Sequence, residues 1–228
     1  MNVELKTQHS TVNPDDAPMM AARGDYMEDS LVGTTADEAL RGASDPDKDV
    51  WTDEEKHQDF LNQLMRRGHF GPFEHSTAFF AVEGISRVTM AQATRHRHIS
   101  FDVQSQRYVE FSDKKAVVPP SFEESDRRWD GTLQDHWEYS IKIYQDAIDS
   151  GIPKEDARFF LPVAAPVNLT FSANLRTLFH FFDLRYSGKA QWEVRELAAQ
   201  IMDEVREWAP MSMSAYEEFT NHNSLRAP

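Results

Sequence analysis

The chain has 228 residues, no cysteine, and 24 Lys+Arg against 38 Asp+Glu, a formal net charge of -14. That length suffices for one large domain or two small ones, and 40% hydrophobic and 11% aromatic content excludes global disorder. Without cysteine there are no disulfides, thiolate metal sites or thiol nucleophile, and the acidity argues against duplex nucleic acid as a partner. The first residues, MNVELKTQHS, have no basic, apolar leader, and no stretch approaches the roughly 18 apolar residues of a membrane span, so a cytoplasmic protein without a membrane partner is expected.

Residues 1–50 are acidic and weakly periodic, and read as a partly ordered leading segment with one short helix near Thr35–Gly42. Thr52-Asp53-Glu54-Glu55 has the form of a capping box. Phe60, Leu61, Leu64 and Met65 follow at helical spacing, and Gly68 stops the helix. Ser76 to Glu83 reads as a strand, Ile85 to His96 as a helix with Val88 and Ala91 or Gln92 on one face, and Arg107 to Phe111 as a second strand. After Pro119-Pro120, residues Ser121 to Ser150 form one amphipathic helical region with Trp129, Leu133, Trp137, Ile141 and Tyr144 on its apolar face. A short helix over Lys154 to Leu161, a strand over Val167 to Ala173, and helices over Asn174–Leu184 and Lys189–Trp208 complete the chain. One α+β domain over residues 1–228 is the simplest account.

The densest chemistry runs from Arg95-His96-Arg97-His98 to Ser105-Gln106-Arg107-Tyr108. Arginine forks suit phosphate, and hydroxyls and turn amides add donors. Three alternatives stay open on the residues alone. One is a surface patch paired with the chain's many acids. Another is a metal site from His69, Glu74, His75, His96 and His98, although neither local spacing matches a catalytic zinc motif, so no metal is expected. The last is a single-stranded nucleic acid surface using Phe101 and Tyr108 for stacking, which the net charge disfavours.

The array Arg95-His96-Arg97, seven residues, Ser105, one residue, Arg107 resembles the signature of the flavin-dependent thymidylate synthases. Gly84-Ile85-Ser86-Arg87 and Gln92 resemble that family's approach to the signature, as do Gly68-His69-Phe70 and Phe73-Glu74-His75. The likeness resumes at Glu155 to Pro162, at Asn174-Leu175-Arg176 through Arg185, and around Ala190-Gln191-Trp192-Glu193, covering about residues 52 to 220.

The resemblance implies reductive methylation of dUMP to dTMP, with 5,10-methylenetetrahydrofolate as carbon donor, NADPH as reductant, non-covalent FAD and no cysteine nucleophile. It implies an antiparallel or mixed sheet flanked by helices, and a homotetramer with its sites at subunit junctions. Gln92, Arg95, Ser105, Gln106, Arg107, Arg158 and Arg185 match dUMP positions, with Arg185 the cation that stabilises negative charge on the uracil. His69, Gly71, Arg95, His96, Arg97, Asn174, Leu175, Arg176 and His180 match FAD positions. Without the family, Arg185 reads as a helix-end cation, Arg158 as an ion pair with Glu155 or Asp156, and His180 as a core histidine. Two positions depart from the pattern: Gly71 replaces a hydroxyl residue, and Val103 stands where Glu or Gln is common.

Overall fold

A computed structural model describes residues 1–41 and 53–220. Four strands, β1 (Asn2–Leu5), β2 (Thr77–Ser86), β3 (Ser100–Val103) and β4 (Pro166–Asn174), form one sheet in the order β1-β2-β4-β3. Every pairing is antiparallel, which resolves the antiparallel-or-mixed expectation. Alternation aims Val82, Leu169 and Phe171 inward, and Phe80, Phe171 and Phe101 stand in register across β2, β4 and β3. The register shifts between Val82 and Ile85, where Gly84 adopts φ +74 and its amide donates to the Asn168 side chain at 3.0 Å. An L side chain is disfavoured at that φ, so glycine makes the bulge.

Helices α1 (Asp16–Gly24), α2 (Ala36–Arg41) and α3 (Asp53–Arg66) precede β2. Helices α4 (Arg87–Ala93), α5 (Pro120–Glu124), α6 (Trp129–Asp149) and α7 (Lys154–Ala157) lie between β2 and β4. Helices α8 (Leu175–Arg185), α9 (Trp192–Trp208) and α10 (Pro210–Thr220) follow. Leu178, Val194, Leu197 and Ile201 of α8 and α9 join the sheet's inner face in one core. Gly68 ends α3 as expected: at φ +70 it lets the amides of Gly68 and His69 return to the carbonyls of Met65 and Leu64.

Several expectations need correction. The leading segment is more structured than its acidity suggests. β1 pairs with β2 and is tied by the Leu5 amide to Glu204 at 2.7 Å, and α1 buries Met19 and Ala22. The helix expected near 35–42 is present as α2, while Thr52 lies outside the described residues. β2 runs on to Ser86, so α4 is shorter than the expected 85–96 helix, and it buries Thr89 and Ala93 while Val88 is exposed. Residues 107–111 are not a strand. The Ser105 carbonyl accepts from the amides of Tyr108 and Val109, which makes a turn, and the strand of this region is β3. The 121–150 region breaks at 125–128, where Arg128 sits at φ +53. Within α6, Trp137 and Tyr144 are buried, while Trp129 lies exposed under the Arg127 guanidinium. The expected 154–161 helix is α7 followed by a 3-10 turn over Arg158–Phe160. The helix expected from Lys189 begins at Trp192, because Gln191 caps it. The chain does not end its helices at Trp208: α10 follows, with Pro210 in its first turn, where no amide is needed.

Candidate active site

The site residues follow from how two helices leave the central strand pair. Ser86, the last residue of β2, caps α4 by accepting from the Thr89 amide at 3.1 Å. Glu193, in the first turn of α9, is buried and reaches the same point. Its carboxylate accepts from the Ser86 amide at 2.6 Å, from the Ser86 hydroxyl, and from the Thr89 hydroxyl at 2.8 Å. The start of α4 is therefore fixed, and α4 carries Gln92 into the Arg95–His98 turn.

That turn alternates in direction. Arg95, Arg97 and His98 are exposed, whereas His96 is 8% exposed. The His96 ring lies edge-on to His180 and Phe181 of α8, with centroids 5.8 Å and 4.8 Å away. α8 leaves the end of β4 that pairs with Thr77, capped by the Asn174 side chain, which accepts from the Thr177 amide at 2.9 Å. Its last residue, Arg185, reaches the end of α4. Arg185 Nε donates to His96 Nε2 at 2.8 Å, and Nη2 donates to the Gln92 carbonyl at 3.4 Å.

Electrostatics mark this junction. Burial, then the charges of Arg185, His180 and Arg95, push the His96 imidazole down to about 4. Burial, then Arg95, also lowers the basicity of Arg185. No carboxylate lies within ion-pair distance of Arg95, Arg97 or Arg185 among the described residues. In a chain of net charge -14, cations kept clear of acids are suited to attract an anion.

The remaining candidates fall into two further groups. In the first, Ser105 Oγ accepts from the Arg107 amide at 3.2 Å and Arg107 Nε donates to the Glu155 carboxylate at 2.6 Å. Arg158 Nε donates to the Glu155 carbonyl at 2.9 Å, so Glu155 organises both arginines. Gln106 is buried, with its side-chain Nε2 unpartnered. In the second group, Arg176 pairs with Glu74, and His69 lies 3.6 Å from Asp25 and edge-on to Tyr26. Gly71 opens a 3-10 turn, and a Cβ there would meet nothing within 4 Å. Packing does not demand the glycine. Val103 packs against the core, while its polar neighbour Asp102 is exposed on the opposite face of β3.

No side-chain hydrogen bond or ion pair among the described residues joins these three groups to one another, although α8 carries Arg176 near its start and His180 and Arg185 further along. No set of three or more His, Asp or Glu side chains converges as a metal site among them. Two residues of the resembling segments, Arg87 and Glu193, carry no role in the sequence reading and gain one from the fold. Arg87, at the start of α4, has its basicity lowered by burial and then by Arg158, and its place after the capping Ser86 was the available signal. Glu193 lies in a segment that resembles the family, but nothing local marks its burial, since a glutamate in a first helical turn reads as a surface charge.

The match of residues 8–211 to the family model described as "Thymidylate synthase complementing protein" decides the family. The chain belongs to the flavin-dependent thymidylate synthase family. It is 38% identical over 251 residues to the flavin-dependent thymidylate synthase of Halobacterium salinarum, covering 98% of this chain and 99% of that one. The enzyme of the same name from Haloarcula marismortui is 39% identical over 243 residues, covering 95% of this chain and 96% of the relative. Among solved structures, the UMP/dUMP methylase PolB from Streptomyces cacaoi, bound with 5-Br dUMP, superposes with TM-score 0.76 at 26% identity, over 96% of this chain and 95% of that one. The family's chemistry is methylation of dUMP with a flavin, and its members take FAD, NADPH and methylenetetrahydrofolate.

Proposed function

We propose that the chain converts dUMP, 5,10-methylenetetrahydrofolate and NADPH to dTMP, tetrahydrofolate and NADP, with FAD held non-covalently. The observation that carries this reading is the pair Arg95 and Arg185, brought together without a carboxylate inside the arginine–histidine–serine array of the family. The buried, unpartnered Gln106 Nε2 and His180 Nδ1 fit an anionic, hydrogen-bonding ligand, because an orphaned buried polar atom costs about 1–3 kcal/mol until something satisfies it.

Arg107 and Arg158, with Ser105, Gln106, Gln92 and Arg95, bind dUMP. Its dianionic phosphate is a better partner for a guanidinium fork than Glu155 alone. With no cysteine in the chain, no thiolate is present to add to carbon 6. Carbon 5 must become nucleophilic by charge drawn onto the ring oxygens, and Arg185 supplies the fixed cation for that charge. Arg95, Arg97, Asn174, Leu175, Arg176, His180, His69 and the Gly71 backbone hold FAD, which when bound supplies the redox chemistry, whereas His96, matched to the same FAD triplet, is buried against α8 and is left out of this set.

We propose a homotetramer as well, since no side-chain bond ties the Arg107–Arg158 group to the Arg95–Arg185 group within one chain and a site completed by neighbouring subunits needs none. Phe159, Phe160 and Val163, exposed at 84%, 48% and 67% beside Arg158, give such neighbours apolar surface to bury. We take residues 1–228 as one domain, acting in the cytoplasm on small molecules without nucleic acid or membrane. No helix among the described residues is long and apolar enough to cross a membrane.

The test is the absorption spectrum of the purified protein together with turnover. A flavin band that NADPH bleaches, FAD released on acid denaturation, and dTMP formed only when dUMP and methylenetetrahydrofolate are both present are expected. A protein that stays colourless after incubation with FAD, or flavin that remains with the precipitated chain, refutes the cofactor assignment.

A further inference from the structure

On the reading just proposed, we infer that His96 is a positioning residue for Arg185: its imidazole accepts from Arg185 Nε and holds the guanidinium at the uracil, whereas its neighbours Arg95 and Arg97 face outward to ligand. Three observations carry this. The first is direction. In the Arg95–His98 turn only His96 is buried, and its backbone is pinned on both sides, its amide donating to the Ala93 carbonyl and its carbonyl accepting from the Ile99 amide, both at 3.1 Å. The second is the ring's setting. His180 and Phe181 flank it edge-on from α8, which fixes its plane. The third is the bond itself, 2.8 Å from Arg185 Nε to His96 Nε2.

A guanidinium has N–H donors and no acceptor, so His96 Nε2 must present a lone pair and the ring must be neutral with its proton on Nδ1. The groups around the ring, Arg185 and His180 from α8 and Arg95 from its own turn, are all basic and oppose protonation. With Nε given to His96 and one Nη2 hydrogen to the Gln92 carbonyl, two of the five donors of Arg185 are committed on its inner side and the rest remain for substrate. An arginine at the end of a helix otherwise swings through many rotamers. Anchoring it converts a mobile cation into a preorganised one, which is what transition-state stabilisation requires.

The experiment is a double-mutant cycle with a chemical probe. Wild type, His96→Leu, His96→Gln, Arg185→Ala and the Arg185→Ala/His96→Leu double variant are compared for kcat, KM for dUMP, bound flavin, and the rate at which phenylglyoxal modifies Arg185, read by peptide mass spectrometry. His96→Leu should lower kcat about 10- to 100-fold, keep its flavin, and make Arg185 several-fold more reactive. His96→Gln, whose Oε1 stands as many bonds from the backbone as Nε2, should restore most of kcat and the protection. In the Arg185→Ala background, His96→Leu should cost nothing more, because the residue acts only through Arg185. Flavin loss in His96→Leu, additive losses in the double variant, or unchanged Arg185 reactivity would each overturn the role. Should His96→Leu not fold, the same cycle is run with His96→Gln and His96→Ala. A wild type that makes no dTMP refutes the proposed reaction, while the reactivity of Arg185 still decides the tie.

Discussion

Removing the Glu193 carboxylate should destabilise the protein severely, although the residue touches no candidate ligand position. It sits 2% exposed among three donors: the Ser86 amide, the Ser86 hydroxyl and the Thr89 hydroxyl. Glu193→Ala leaves all three without that acceptor. The hydroxyls can rotate toward other oxygens, but the Ser86 amide cannot move without unravelling the first turn of α4. At about 1–3 kcal/mol for each stranded group, and allowing the hydroxyls partial relief, the loss is roughly 3–5 kcal/mol. The carboxylate also lies in the first turn of α9 and against the start of α4, where a negative charge is favourable to both helix dipoles. For a chain of this length 1 kcal/mol shifts Tm by about 2–4 °C, so a drop on the order of 10 °C is expected in calorimetry of the flavin-loaded protein. Glu193→Gln keeps the shape and one carbonyl oxygen for the amide, and should recover more than half of the loss. A Glu193→Ala protein melting within about 1 °C of wild type would refute the reasoning.

Arg107→Ala should weaken dUMP binding about tenfold or more by calorimetry, since a charge-assisted bond contributes roughly 1.5–3 kcal/mol; equal affinity for deoxyuridine and dUMP would remove the phosphate clamp from the account. Arg185→Ala should lower dTMP formation by about 10²–10³ with flavin retained, and Arg185→Lys should rescue little, because a point charge lacks the planar fork. On the acid side, the folded pKa of His96, about 4, lies below the roughly 6.5 of an unfolded histidine, so its contribution is intact above pH 6.5 and is lost as pH falls toward 4. At about 1.4 kcal/mol per pKa unit the displacement corresponds to at most about 3–4 kcal/mol, and His96→Gln should show a shallower decline in denaturant stability between pH 6.5 and 5; an unchanged slope would contradict the low pKa.

What the sequence made legible was set by local chemistry. Gly68 after an apolar heptad-like run must stop a helix, and alternating residues over 76–83 and 167–173 must lie in a sheet, so α3, β2 and β4 were readable. What escaped was decided by partners distant in the chain. β1 is a strand because β2 and Glu204 accept it, not because four residues of mixed polarity demand it. Arg107–Phe111 alternates like a strand, yet the Ser105 carbonyl captures two following amides and folds it into a turn that presents Arg107 toward Glu155. The candidate site divides the same way. The arginine array and the serine after it were visible as a motif, but the inward aim of His96, the carboxylate of Glu193 and the nearness of Arg87 to Arg158 exist only after folding.

The charge distribution explains how an acidic chain can serve anionic ligands. A net charge of -14 repels dUMP, NADPH and FAD at long range, but at physiological salt that field decays over about 8 Å. Inside that distance the local arrangement decides. Arg107 is half exposed and neutralised by Glu155 until a phosphate arrives, so it contributes attraction where solvent still screens it. Arg185 is partly buried, pushed by Arg95 and answered by no carboxylate among the described residues, so its field is less screened than that of Arg107, and on the proposed function that field falls on the uracil. Leaving two cations in mutual repulsion costs the empty protein stability, and an anion seated between them relieves that cost. On the proposed function the two settings divide the work: the exposed Arg107 would select the nucleotide phosphate, and the tethered Arg185 would act on the ring.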